Sequence, residues 1–184
     1  MAVQKPSRGV RNNNPGNIEK SRDRWKGLAA DQPDERFFKF SEPEWGIRAM
    51  SRILLNYQKK YNRNTVREVI ERWAPNNENN TEAYINAVSR ETGFTPDQEL
   101  DLRRFDHLFP VVKAIIRHEN GYTPYTDAQI REGLLRAGVV PPAPPKSAPD
   151  SLRQKFSAVK KPANENTKKS PPAKKQAPRK GFRL

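Results

Sequence analysis

The 184-residue chain carries 35 lysines and arginines against 21 acids, a net charge of +14, with only 34% hydrophobic residues. It contains no cysteine, which excludes disulfides and thiolate metal sites, and no run near the ~20 apolar residues of a membrane span. The opening MAVQKPSRGV lacks a hydrophobic signal core, so the expectation is synthesis in a cytoplasm, with a role outside the membrane reached by another route.

The charge is not evenly spread. From Pro141 to Leu184 there are 12 Lys/Arg against Asp150 and Glu165, together with 9 of the 17 prolines. Like charges repel there and few apolar groups offset chain entropy, so 141–184 is expected to be a disordered basic Pro/Lys-rich tail. Residues 1–140 are expected to form one domain, large enough for a modest core.

In chain order, RGVRNNNPGNI (Arg8–Ile18) gathers the residues that tolerate turn conformations. Short strands are expected at 17–20 and at 36–40, where RFFKF is aromatic-rich. Ser41 and Glu44 read as a capping box, and Trp45, Ala49, Ile53 and Tyr57 then recur at helical spacing. Thr65 and Glu68 read as a second capping box, opening a short helix that buries Val66, Val69, Ile70 and Trp73. A third helix is expected over 81–91, capped by Asn79 or Asn80 and stopped by Gly93, and a weaker one over 97–108. The most apolar helix is expected over 110–120, with Pro110 in its first position and Gly121 as its stop. A last helix runs from Thr126 to Gly138. The fold class is mainly α (α+β), with a small irregular β element near the N-terminus.

The chemistry narrows quickly. HENGY at His118–Tyr122 resembles the start of a zinc-binding HExxH, but Tyr122 stands where the second histidine would be, and the only other histidine is His107. No Walker loop, GxGxxG or GxSxG is present, and no cofactor is expected. Carboxylates remain. Glu119 ends the most apolar helix, where the negative end of the helix dipole and partial burial both raise a carboxylate pKa. A glutamate kept protonated near neutrality can protonate a glycosidic oxygen. The plain alternative is a solvated carboxylate paired with Arg117 or Arg131. Glu78, in the polar stretch WAPNNENNTEAY, is an alternative or second carboxylate, and Asp127 is a further one. The amides of Asn13, Asn14, Asn17 and Asn120 could bind sugar hydroxyls, and Trp25, Tyr122 and Tyr125 could stack on sugar faces. Trp45 and Trp73 lie on helical stripes, which favours core packing.

RGVRNNNPGNI, WKG at Trp25–Gly27, FFKFSEPEWGIRAMSRILLNYQKKY, NTVREVIERWAPNNENNTEAYINAV and AIIRHENG, in that order over 8–138, resemble a family of phage virion proteins with a lysozyme-like, lytic-transglycosylase-like domain. NNPGNI and WKG are also similar to segments of bacterial glucosaminidases, and IIRHENG is similar to the Glu-Ser-Gly helix end of glucosaminidases and lytic transglycosylases, with Asn120 in place of Ser. The order is inverted, which a circular permutation of a lysozyme-like domain would explain.

The resemblance implies cleavage of the β-1,4 bond between N-acetylmuramic acid and N-acetylglucosamine in peptidoglycan. Glu119 would be the general acid and then, in a transglycosylase, the base that lets the sugar's 6-hydroxyl close an anhydro ring. That route needs one carboxylate, whereas hydrolysis normally uses two. The implied setting is a virion, with the protein made in the host cytoplasm and acting in the periplasm or cell wall during genome delivery. Implied partners are peptidoglycan glycan strands and other virion proteins. The Lys/Arg of 146–183 add non-specific binding to DNA or anionic envelope polymers by counterion release. The alternatives are a catalytically inactive virion component, a cytoplasmic endolysin acting at lysis, and a basic nucleic-acid-associated protein.

Overall fold

The computed structural model describes residues 6–75 and 80–143, so Glu78, Asn79 and the chain from 144 onward lie outside the described residues. Six helices occur among the described residues: α1 (Arg8–Arg11), α2 (Pro43–Tyr61), α3 (Val66–Trp73), α4 (Thr81–Thr92), α5 (Phe105–Asn120) and α6 (Asp127–Arg136). The domain is mainly α. The two expected strands are reduced to isolated antiparallel bridges, Glu19 with Phe37 and Leu28 with Phe40. Side chains hold the 12–40 segment where a ladder would otherwise do so. Asn14 donates to the carbonyls of Ile18 and Phe38, and Asn13 donates to that of Phe40 (2.8–3.0 Å). Asp34 accepts from Arg8, Asn12 and the backbone N–H groups of Arg36 and Phe37.

The helix ends follow local chemistry. Thr65 and Thr126 each close a capping box, with Glu68 and Gln129, and Asn80 caps α4. The Ser41 box does not form. The N-cap of α2 is Glu42, without a side-chain cap bond, and Pro43 opens the helix. Ser41 instead donates to the carbonyl of Gly27, tying the helix start to the loop (3.1 Å).

Helix α5 begins five residues earlier than expected, and Pro110 lies inside it. A proline there forfeits one ladder hydrogen bond. The extra turn is held by packing, because it buries Phe105 and Leu108, and Arg131 lies over the rings of Phe105 and Phe109. The helix expected over 97–108 is irregular up to Arg104 for a related reason. Gln58 on α2 accepts from the Leu102 N–H (2.6 Å), and His107 Nδ1 accepts from the Asp101 N–H (2.9 Å). These side chains take backbone donors that a helix would have used.

One core joins all of this: Phe38 and Phe40 from the loop, Ile47, Met50 and Leu54 from α2, Ile70 from α3, Tyr84 and Ile85 from α4, Ile115 and Ile116 from α5, and Ile130 and Leu134 from α6. Helix α2 packs most extensively on α6, and α4 on α5. The α2–α6 crossing depends on Gly133, because a Cβ there would overlap Ile47 of α2. Gly133→Val is therefore expected to destabilise the domain by about 1–3 kcal/mol through overpacking, read as a lower urea midpoint at unchanged slope.

Candidate functional site

The site forms where the end of α5 meets the Asn14–Ile18 turn. Asn120 is the last residue of α5 and is buried. Its side-chain amide donates to the carbonyls of Ile116 (2.8 Å) and Pro15 (3.1 Å), and its oxygen accepts from the Ser7 hydroxyl (2.6 Å). One side chain therefore stitches the helix end to the turn and to the segment before α1. Gly9 and Gly16 let the parts approach. A Cβ on Gly9 would lie 2.9 Å from Asn120 Oδ1, and one on Gly16 would lie 2.9 Å from the Trp73 ring. Gly121 then ends the helix in the left-handed region (φ 76°), a conformation other residues adopt at a cost.

This closure encloses the carboxylate of Glu119. Its Oε1 accepts from Trp73 Nε1 (3.2 Å) and from the Tyr84 hydroxyl (2.8 Å), and its Oε2 accepts from Asn17 Nδ2 (3.2 Å). Four elements thus meet at one acid: the 14–18 turn, α3, α4 and α5. Burial pushes the Glu119 carboxyl above its ordinary value, and the three donors from Tyr84, Trp73 and Asn17 counter this only in part. Tyr84 is held well above the usual tyrosine range, by burial first and then by the Glu119 charge, so its hydroxyl stays a donor. His118 stacks on the Tyr84 ring at 3.5 Å between centroids. Burial lowers its pKa, while the charge of Glu91 acts in the opposite sense.

The other candidate residues are distributed as follows. Asn17 reaches Glu119, whereas Asn120 spends its amide on the carbonyls of Pro15 and Ile116 and its oxygen on Ser7. Asn14 is fully buried, and its amide and that of Asn13 are committed to backbone groups, so both serve the fold of the loop. Tyr125 is buried in the core cluster and presents no free face, whereas Tyr122 is exposed. Trp25 packs on the core and lines a separate groove with Arg72. Asp127 pairs with Lys113 (2.7 Å), and Glu78 lies outside the described residues. Arg117 pairs with Glu91, and Arg131 lies over two phenylalanine rings, so neither neutralises Glu119.

Sequence reasoning missed Trp73 and Tyr84 as site residues, because their helical spacing marks them as core. They are core by ring and site by tip. The available signal was chemical: a buried indole N–H or phenol needs a partner.

The site is thus a single half-buried glutamate at a helix end, in a mainly helical domain. The chain is 42% identical over 136 residues to Protein P5 of Pseudoalteromonas phage PM2, a match that spans 72% of this chain and 82% of that protein, and it belongs to the same family. No family model matches the chain.

The raised carboxyl has a thermodynamic consequence. A Glu whose folded pKa exceeds its unfolded value contributes stability below the unfolded pKa of about 4.3, and this is lost as pH rises through the folded pKa. Glu119→Gln keeps an acceptor for Trp73 and Tyr84 and cannot ionise. The variant is expected to gain stability relative to wild type between pH 4 and pH 8, measured as the difference in melting temperature across that range.

Proposed function

We propose that this phage protein is carried in the virion and cleaves the β-1,4 glycan bond of peptidoglycan, with Glu119 as general acid. The observation that carries the reading is the enclosure of this one carboxyl by three hydrogen-bond donors at an apolar helix end. The two lone pairs of Oε1 are occupied by Trp73 and Tyr84, so the proton resides on Oε2. Oε2 accepts only from Asn17, and it is the oxygen that hands its proton to the leaving glycosidic oxygen. Once ionised, the carboxylate is held by all three donors and is ready to take a proton back.

A glycan route through a 1,6-anhydro ring asks for that one group alone. Inverting and retaining hydrolysis ask for a second carboxylate within about 5–9.5 Å. Of the candidate second carboxylates, Asp127 is committed to Lys113 and Glu78 lies outside the described residues, so the reading taken is the one-carboxylate transglycosylase outcome. The basic 146–183 segment would hold the protein to DNA or to anionic envelope polymers by salt-sensitive contacts.

The test is incubation of the purified full chain with peptidoglycan, followed by mass spectrometry of the soluble products. Anhydro-muropeptides are the expected products. Glu119→Gln should reduce their release by at least about 100-fold, the lower range for loss of a general acid, while keeping its melting transition. Reducing-end muramic acid would indicate a water-dependent muramidase, and no release from wild type would contradict the reading. The rate should fall as pH rises through the elevated pKa of Glu119, because the first step needs its proton.

A further inference from the structure

A second groove, of about 390 Å³, lies between α2, the end of α3 and the Asp23–Trp25 loop. Its lining combines Trp25, Tyr57 and Tyr61 with Arg24, Lys60 and Arg72. Two features separate it from ordinary surface. First, its walls hold three buried polar atoms without a protein partner among the described residues: Trp25 Nε1, Tyr57 Oη and Arg72 Nε. The indole and guanidinium nitrogens can only donate, and the phenol can donate. Tyr57 is 2% exposed, and a buried donor left unmatched costs about 1–3 kcal/mol. Three in one pocket wall is a concentration that the fold itself does not use.

Second, the charge is unbalanced. Arg24, Lys60 and Arg72 form no ion pair among the described residues, so three cations stand against one acid in the lining. Arg72 is fixed instead by stacking over Tyr61, 3.6 Å from its ring centroid, with Tyr57 at 5.1 Å. The one acid in the lining, Asp23, accepts from the Ser21 hydroxyl (2.8 Å). A stacked guanidinium keeps its planar fork of donors available while its face is occupied, which is the geometry that receives a carboxylate or phosphate side-on.

From these observations we infer that the Trp25–Tyr57–Arg72 groove is a binding site for an oxyanion, a carboxylate or phosphate group carried on a small ligand or polymer unit. Arg72 supplies the fork, the unmatched Trp25 Nε1 and Tyr57 Oη are the neutral donors in the lining, and Arg24 and Lys60 add positive charge to the same groove. The groove shares no lining residue with the Glu119 cluster, so Glu119→Gln should leave the ligand-induced shifts of the Trp25 indole and Arg72 Nε–H unchanged.

The experiment is a titration of the ¹⁵N-labelled full chain, following the Trp25 indole and Arg72 Nε–H resonances. The probes are inorganic phosphate and N-acetylmuramic acid, with neutral N-acetylglucosamine and sodium chloride as controls. Saturable shifts of both resonances with phosphate or N-acetylmuramate are expected. Stronger binding of N-acetylmuramate would place the oxyanion on the glycan, and stronger binding of phosphate would place it on a phosphate source. Arg72→Met should weaken binding by about tenfold or more, as for loss of a charged hydrogen bond, and Tyr57→Phe by several-fold, both with melting temperatures near wild type. Equal shifts with N-acetylglucosamine, shifts that track chloride without saturating, or undiminished binding by Arg72→Met would overturn the assignment.

Discussion

The site depends on one side chain that is not itself acidic. Asn120 closes the end of α5 onto the Pro15 carbonyl and the Ser7 hydroxyl. That closure fixes the Asn14–Ile18 turn to the helix end, alongside the packing of Gly16 on Trp73 and of Ile18 in the core, and so covers Glu119, one residue earlier. With it, Asn17 is delivered to one carboxylate oxygen while α3 and α4 deliver Trp73 and Tyr84 to the other. A buried amide that satisfies two carbonyls and one hydroxyl is an inexpensive clamp, because none of its polar atoms is left unmatched.

The enclosure sets two opposing effects on Glu119. Removal from water favours the neutral acid, and the three donors favour the anion. Burial is the larger of the two, so the carboxyl is raised. An acid balanced in this way gives up its proton when a partner arrives and does not collapse energetically once charged, because the donors are already in place and need no reorganisation. The neighbouring cations stay out of this balance. Arg117 is drawn away by Glu91, and burial lowers the pKa of His118. A positive charge beside Glu119 would have depressed its pKa and left it ionised.

Much of this was legible in the sequence, and the failures have physical causes. The mainly α class, the Thr65 capping box, the helix start at Thr126 and the Gly93 and Gly121 stops depend on neighbours within four residues, and local pattern carries them. The expected strands at 17–20 and 36–40 did not extend beyond single bridges, because Asn14 and Asp34 satisfy the backbone groups that a ladder would pair. The start of α5 was misplaced because proline is a strong local signal, and the burial of Phe105 and Leu108 that overrides it is tertiary. At the site, the sequence marks Glu119 and the Asn-rich turn as candidates, but the division of labour among the asparagines is not local information. Asn13, Asn14, Asn17 and Asn120 are chemically identical, and only register decides that Asn17 reaches the acid while the others hold backbone. Trp73 and Tyr84 were hidden because periodicity reports where a ring goes and says nothing of its polar tip.

Glu119 is thus an acid whose proton is retained by burial against the pull of three donors. This retention is tested most directly by ¹³C NMR titration of the Glu119 side-chain carboxyl in the intact protein. The expected result is a pKa above the ordinary glutamate value of about 4.3, rising further in Tyr84→Phe, where one donor to the anion is lost. A pKa at or below that value, or a fall on removing the Tyr84 hydroxyl, would contradict it.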